Sequence, residues 1–267
     1  MSRKNHSGAA LLVAASILVI TGASALAPPL STEREAVVRI VTQIQKADYE
    51  GDRSTLQRLY GELTPFTKNK EFASRVFYWR GFALWRKAIN GFNEDADKRD
   101  LEHDLHQAAE EFENSASADA AFVDSKIALG SCFGLLAYAV GKKDAAEQQA
   151  LIAKSRQAVT DARTAAPDNP RLLWILGPMY WNIPPDRGGG QARAMEVYEM
   201  ETIRIHKNAT TDPLDPSWGE PELLMSLAWS NLNRPRQTWT PRSKMRDPRW
   251  RWSPPTCPLY PRSFSWS

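Results

Sequence analysis

The sequence predicts an all-α chain of stacked helix pairs, on three observations. Apolar residues recur at spacings of 3 and 4 through each segment between residues 34 and 232, the period of a helix with a buried face. Such segments restart near residues 34, 71, 119, 170 and 220, at intervals of 37, 48, 51 and 50. Three of the restarts carry a glycine in mid-helix, Gly81, Gly130 and Gly177, where a partner helix can come close. Repeated units of this kind cannot bury an apolar face singly and must stack. The reading is four helix pairs plus an incomplete fifth over residues 34–234.

In the first pair, Val37, Val38, Ile40, Val41, Ile44 and Ala47 form one stripe, which Gly51-Asp52 interrupts. Ser54 with Gln57 has the pattern of a capping box, and Leu56, Leu59, Tyr60 and Leu63 follow on the second helix. The next first helix spans about 71–89 and is apolar on two faces, Tyr78/Phe82/Trp85/Ile89 and Phe72/Val76/Trp79/Ala83. A helix apolar on two faces must be covered by two neighbours. Its partner, about 98–115, carries a single stripe of Leu101, Leu105, Ala108 and Phe112. The third pair begins near Asp119, passes Leu129-Gly130 and Phe133, and closes with Ala158, Ala162 and Ala165. The fourth begins after Asp168-Asn169-Pro170 and turns at Pro184 to Gly190. Its second helix points Ala194, Val197 and Tyr198 inward. A loop from Asp212 to Gly219 then leads into a last helix, Glu220 to Leu232.

Counted from Pro170, the run to Tyr180 places Leu176, Gly177 and Tyr180 at helix positions 7, 8 and 11. Leu129-Gly130 with Phe133, and Gly81 with Leu84, fall near the same places, although Arg80 stands where a Leu is usual. Ala108 and Phe112 fit the small and aromatic positions of a second helix, and Pro167 to Pro170 reads as an inter-repeat turn. On these residues the chain resembles the tetratricopeptide-repeat (TPR) family over roughly 34–234, with intervals longer than that family's period of about 34. The resemblance implies a helical solenoid whose first helices line a concave groove for a peptide or protein segment. Arg80, Lys87, Lys126 and Trp181 are the expected contacts, as exposed positions on those helices. The alternative is a carbohydrate or small-molecule binder using the aromatic-rich second pair.

The two ends differ from this body. Arg3 and Lys4, an apolar run from Gly8 to Ile20, and Ala23-Ser24-Ala25 have the order of a secretory signal peptide, residues 1–25. A short leader, 26–33, follows. Cleavage leaves no stable membrane insertion and places the chain in the periplasm or outside the cell. From Pro235 the composition changes: 33 residues hold seven Pro, six Arg and four Trp, with no Ala, Val, Ile, Gly or Glu. Two origins compete for 235–267, a disordered Trp/Arg-rich binding tail and out-of-frame translation. The second explains why the fifth repeat lacks its second helix, and synonymous codons exist that restore an Ala/Leu-rich helix in the shifted frame. Removing the signal peptide's +2 and the tail's +6 from the chain's +3 leaves the body at −5. A mildly acidic body does not suit nucleic acid.

No catalytic constellation or cofactor fingerprint stands out, so the expectation is a non-enzymatic protein without cofactor. His103, His106 and Glu110 share a helix face that would seat a metal, but it lies opposite the apolar stripe and reads as solvated. Cys132 has no His nearby in sequence to activate it and reads as a core residue. Gly188-Gly189-Gly190 lacks the Lys and Ser/Thr of a phosphate loop and reads as a flexible helix entry. Asn208-Ala209-Thr210 matches a glycosylation sequon.

Overall fold

The computed structural model describes residues 32–205 and 210–232. Nine α-helices and three short 3-10 turns account for the regular structure, with no strand among the described residues. The helices are α1 (Thr32–Glu50), α2 (Arg53–Glu62), α3 (Ala73–Asn93), α4 (Lys98–Ala118), α5 (Val123–Val140), α6 (Ala145–Ala165), α7 (Pro170–Asn182), α8 (Gln191–Ile205) and α9 (Glu220–Leu232). The signal peptide, most of the leader, the tail and Asn208-Ala209 of the sequon lie outside the described residues.

Each helix end has a local cause. Gly51 takes the left-handed conformation (φ 70°), and Asp52 then accepts from the Thr55 N–H at 2.9 Å to start α2. The cap therefore sits two residues before the predicted Ser54, whose hydroxyl donates to Asp52 at 2.8 Å. Asp119, predicted to open the third pair, ends α4 instead; its carboxylate accepts from the Ala121 N–H, and α5 starts at Val123. Asn169 caps α7 through the Arg171 N–H at 2.9 Å, with Pro170 in the first turn where no N–H is needed.

Consecutive helices α1 to α6 pack on one another, as do α7, α8 and α9. The first members of the pairs also touch along a row, α1 with α3, α3 with α5, and α5 with α7. The predicted stripes of α1 to α4 lie on buried faces, with Val38, Ile40 and Tyr60 part-buried, and both faces of α3 are covered. In α6 the buried set is Leu151, Ile152, Ser155, Val159 and Ala162, whereas Ala165 is exposed. Helix α5 is long and apolar enough to cross a membrane, but 72% of it is buried against its neighbours, as a core helix is.

The three mid-helix glycines mark the same contact in three pairs. A Cβ on Gly81 would meet Phe112 of α4 at 2.9 Å, and one on Gly130 would meet Val159 of α6 at 2.8 Å. One on Gly177 would run into the ring of Tyr198 of α8. Bare backbone at these points lets each first helix approach its partner.

Candidate functional site

The side of the first-helix row formed by α1, α3 and α7 is not open. Residues 210–219, expected as a plain connecting loop, lie across it as a strap. Leu214 is completely buried and Trp218 nearly so. The strap keeps its own shape through Asp212, whose carboxylate accepts from the Leu214 N–H at 2.8 Å and whose carbonyl accepts from the Asp215 N–H at 3.0 Å. At its end, the Glu222 carboxylate reaches back to the Gly219 N–H at 3.1 Å and starts α9.

Side chains of the first helices hold this strap with specific bonds. Arg34 of α1 donates to both carboxylate oxygens of Asp212 at 2.7 Å. Arg75 of α3 donates to Asp215 at 2.8 Å and to Asp119 at 2.6 Å, with its guanidinium 3.8 Å from the centre of the Phe122 ring. The Trp79 indole donates to the Leu214 carbonyl at 2.8 Å, and Gln45 donates to Ser217 at 3.0 Å. The Trp218 indole donates to the Tyr78 hydroxyl at 2.9 Å. The Trp218 ring packs on Phe82, Trp85 and Trp174, with centroid distances of 5.8, 5.7 and 5.5 Å. Chemically, a basic and aromatic face grips a turn-containing segment that is acidic, proline-bearing and anchored by Leu and Trp.

Two indoles packed on Trp218, and one carboxylate on α8, keep buried polar atoms without a partner. Glu201 of α8 has no exposed surface, and neither of its carboxylate oxygens has a hydrogen-bond partner. The indole N–H groups of Trp85 and Trp174 are also buried without a partner. Burial first, and then the charge of Glu222, push the Glu201 carboxyl up to about 9, against the pull of Arg171.

The predicted contact residues do not form the groove. Arg80 was expected to be exposed; it is buried, and donates to Glu111 at 3.0 and 2.7 Å and to the Tyr60 carbonyl at 3.0 Å. It precedes Gly81, the close contact to α4, so its side chain enters the junction of α2, α3 and α4 and ties them together. Lys87 is likewise engaged with the second helices, donating to Asp104 at 2.8 Å and to Gln57 at 2.7 Å. Lys126 is partly buried on α5. Trp181 packs its ring on Trp229 of α9 at 4.7 Å, away from the strap. The aromatics of the second pair, Tyr78, Trp79, Phe82, Trp85 and Phe112, are buried core rather than an open stacking platform.

The other candidates resolve similarly. His103, His106 and Glu110 are exposed on α4, and no metal-sized cluster of His, Cys, Asp or Glu gathers among the described residues. Cys132 is buried in α5, and burial pushes its thiol far above the usual range, so it is an inert packing residue. The Gly188, Gly189 and Gly190 N–H groups donate to the carbonyls of Pro185, Pro184 and Tyr180, leaving none for an anion. The glycine run is thus a bonded turn. Arg34, Arg75 and the strap were not anticipated, although a signal existed. Leu214 and Trp218 are large apolar residues in a Pro-rich loop, beside two Asp that want cations.

No protein-family model matches the chain, and no curated protein matches it. Among solved structures it is similar to the HusA haemophore from Porphyromonas gingivalis, with a TM-score of 0.57 and 16% identity. The match covers 79% of this chain and 98% of that one. At this identity the likeness shows a shared helical fold.

Proposed function

We propose that the chain is a non-enzymatic, exported scaffold of TPR-like helix pairs whose first-helix groove binds an acidic, turn-forming segment of a partner protein. One observation carries this reading: the groove already holds such a segment, the strap, by two arginine–aspartate pairs, a backbone carbonyl bond and a buried Trp. The row of first helices, the glycine contacts and the signal-like leader support the repeat fold and the export. Because the strap is tethered, it competes at an effective concentration of the order of millimolar, and a partner must displace it.

The test is a titration of the full chain with a synthetic peptide of residues 210–219. Wild-type protein is expected to bind it weakly, whereas D212N/D215N, which loosens the strap and leaves its apolar anchors, gains at least tenfold. Absence of binding to both proteins overturns the reading. A second reading, a small apolar ligand beneath the strap, is favoured by the buried indoles and by a fold neighbour that is a haemophore. Haem as the probe in place of the peptide separates the two.

A further inference from the structure

Helices α7 and α8 run antiparallel, and their register is set by two contacts. Arg193 lies over the Tyr180 ring at 5.2 Å, and Gly177 faces Tyr198. One turn further along, Trp174 of α7 comes level with Glu201 of α8, consistent with the pull of Arg171 on Glu201. Trp174 in turn touches Trp85 and Trp218, at centroid distances of 6.5 and 5.5 Å. This register brings a carboxylate with two unpartnered oxygens level with Trp174, a member of a three-indole cluster in which two N–H groups are unpartnered.

We propose that Glu201, Trp85 and Trp174 form a buried site for a small primary amine that also carries a hydrogen-bond acceptor. The chemistry of each group points the same way. An ammonium offers three N–H donors to the unpartnered carboxylate oxygens. Indole faces attract a cation and pack on its alkyl stem. The two unpartnered indole N–H groups donate to the acceptor. A divalent metal ion is a poorer match, because it wants six or more oxygens and Glu222 is the one other carboxylate acting on Glu201.

Binding is coupled to a proton. The charged groups acting on Glu201 are Arg171 of α7, itself paired with Asp124 of α5, and Glu222 of α9, which feels Arg86 of α3 and Asp48 of α1. With the free carboxyl protonated up to about pH 9, the ammonium must displace one proton from Glu201. The probe is 4-amino-1-butanol, with 1,4-butanediol as its neutral counterpart, titrated into the full chain by calorimetry and tryptophan fluorescence. The aminoalcohol is expected to bind and the diol not. Its affinity rises about tenfold per pH unit from pH 6 to 8, with one proton released, because the amine stays charged below about pH 10. E201Q loses tenfold or more in affinity together with the pH dependence, and W174F loses affinity but keeps the pH dependence. Equal binding of the two probes, no saturable binding at pH 8, or an unchanged E201Q each overturn the proposal. Binding of the 210–219 peptide is unaffected in E201Q, so the amine site and the peptide groove fail separately.

Discussion

Helices α3 and α9 are both rich in large apolar residues, yet their surroundings are opposite. From Val76 to Ile89 every large apolar side chain of α3 except the part-buried Phe77 is buried, because α2, α4, α1, α5 and the strap each cover part of the helix. Helix α9 rests on α8 through Leu223, while Leu224, Met225 and Leu232 are 55%, 56% and 69% exposed. The residue types are alike; the number of neighbours differs. Apolar periodicity says that a face wants cover, and the rest of the chain decides whether cover is supplied. For α3 part of that cover is the strap, which is why the strap matters to stability as well as to binding.

The contrast can be broken most sharply at Trp218. W218A removes the largest anchor that the strap sets into the α3 and α7 aromatics, and is expected to cost about 3–5 kcal/mol in urea unfolding. A change under about 1 kcal/mol would mean that the strap does not cover α3. Next in size is G177L, where the new side chain collides with Tyr198 and costs about 1–3 kcal/mol or more. Gly61 of α2 faces open space, so G61A stabilises by about 0.5–1 kcal/mol, and equal effects at the two sites would contradict the register.

E201Q sharpens the comparison on the α8 side. The folded carboxyl is raised to about 9 from an ordinary value near 4.5, so the folded state holds its proton more tightly than the unfolded state. Its contribution to stability is complete below about pH 4.5 and is lost as pH rises through about 9. E201Q should therefore melt higher than wild type at pH 8 and 9, with the gap closing towards pH 5. A constant gap across that range would contradict the burial. The smallest effect belongs to α9: M225S lies on an exposed face and should change stability by no more than about 0.5 kcal/mol. Reduced self-association in sedimentation is the expected readout there, since exposed apolar faces promote it.

Much of the fold was legible because helix burial leaves a 3-and-4 rhythm. Val37, Val41 and Ile44, both faces of α3, and Leu101 to Phe112 were all read from spacing, and Gly177 from its place in a motif. What spacing does not encode is the partner of a polar group. Arg80 and Lys87 looked like surface cations, but Glu111 and Asp104, each on the second helix of the same pair, bring them into the packing. The strap escaped because its contacts are long-range: Asp212 finds Arg34 across 178 positions, and Trp218 finds Tyr78 across 140. Glu201 escaped for a related reason, since an acidic residue on an amphipathic helix is ordinarily solvated and nothing local announces its burial.

The indole N–H groups of Trp79 and Trp218 report directly whether the strap is seated against α1, α3 and α7 in solution. Hydrogen exchange of those two protons, followed by NMR on the full chain with indole-labelled tryptophan, is the measurement. Seated, they donate to the Leu214 carbonyl and the Tyr78 hydroxyl and exchange orders of magnitude more slowly than a free indole, and W218A frees the Trp79 proton. Exchange of both at the free-indole rate in the folded protein would contradict the account.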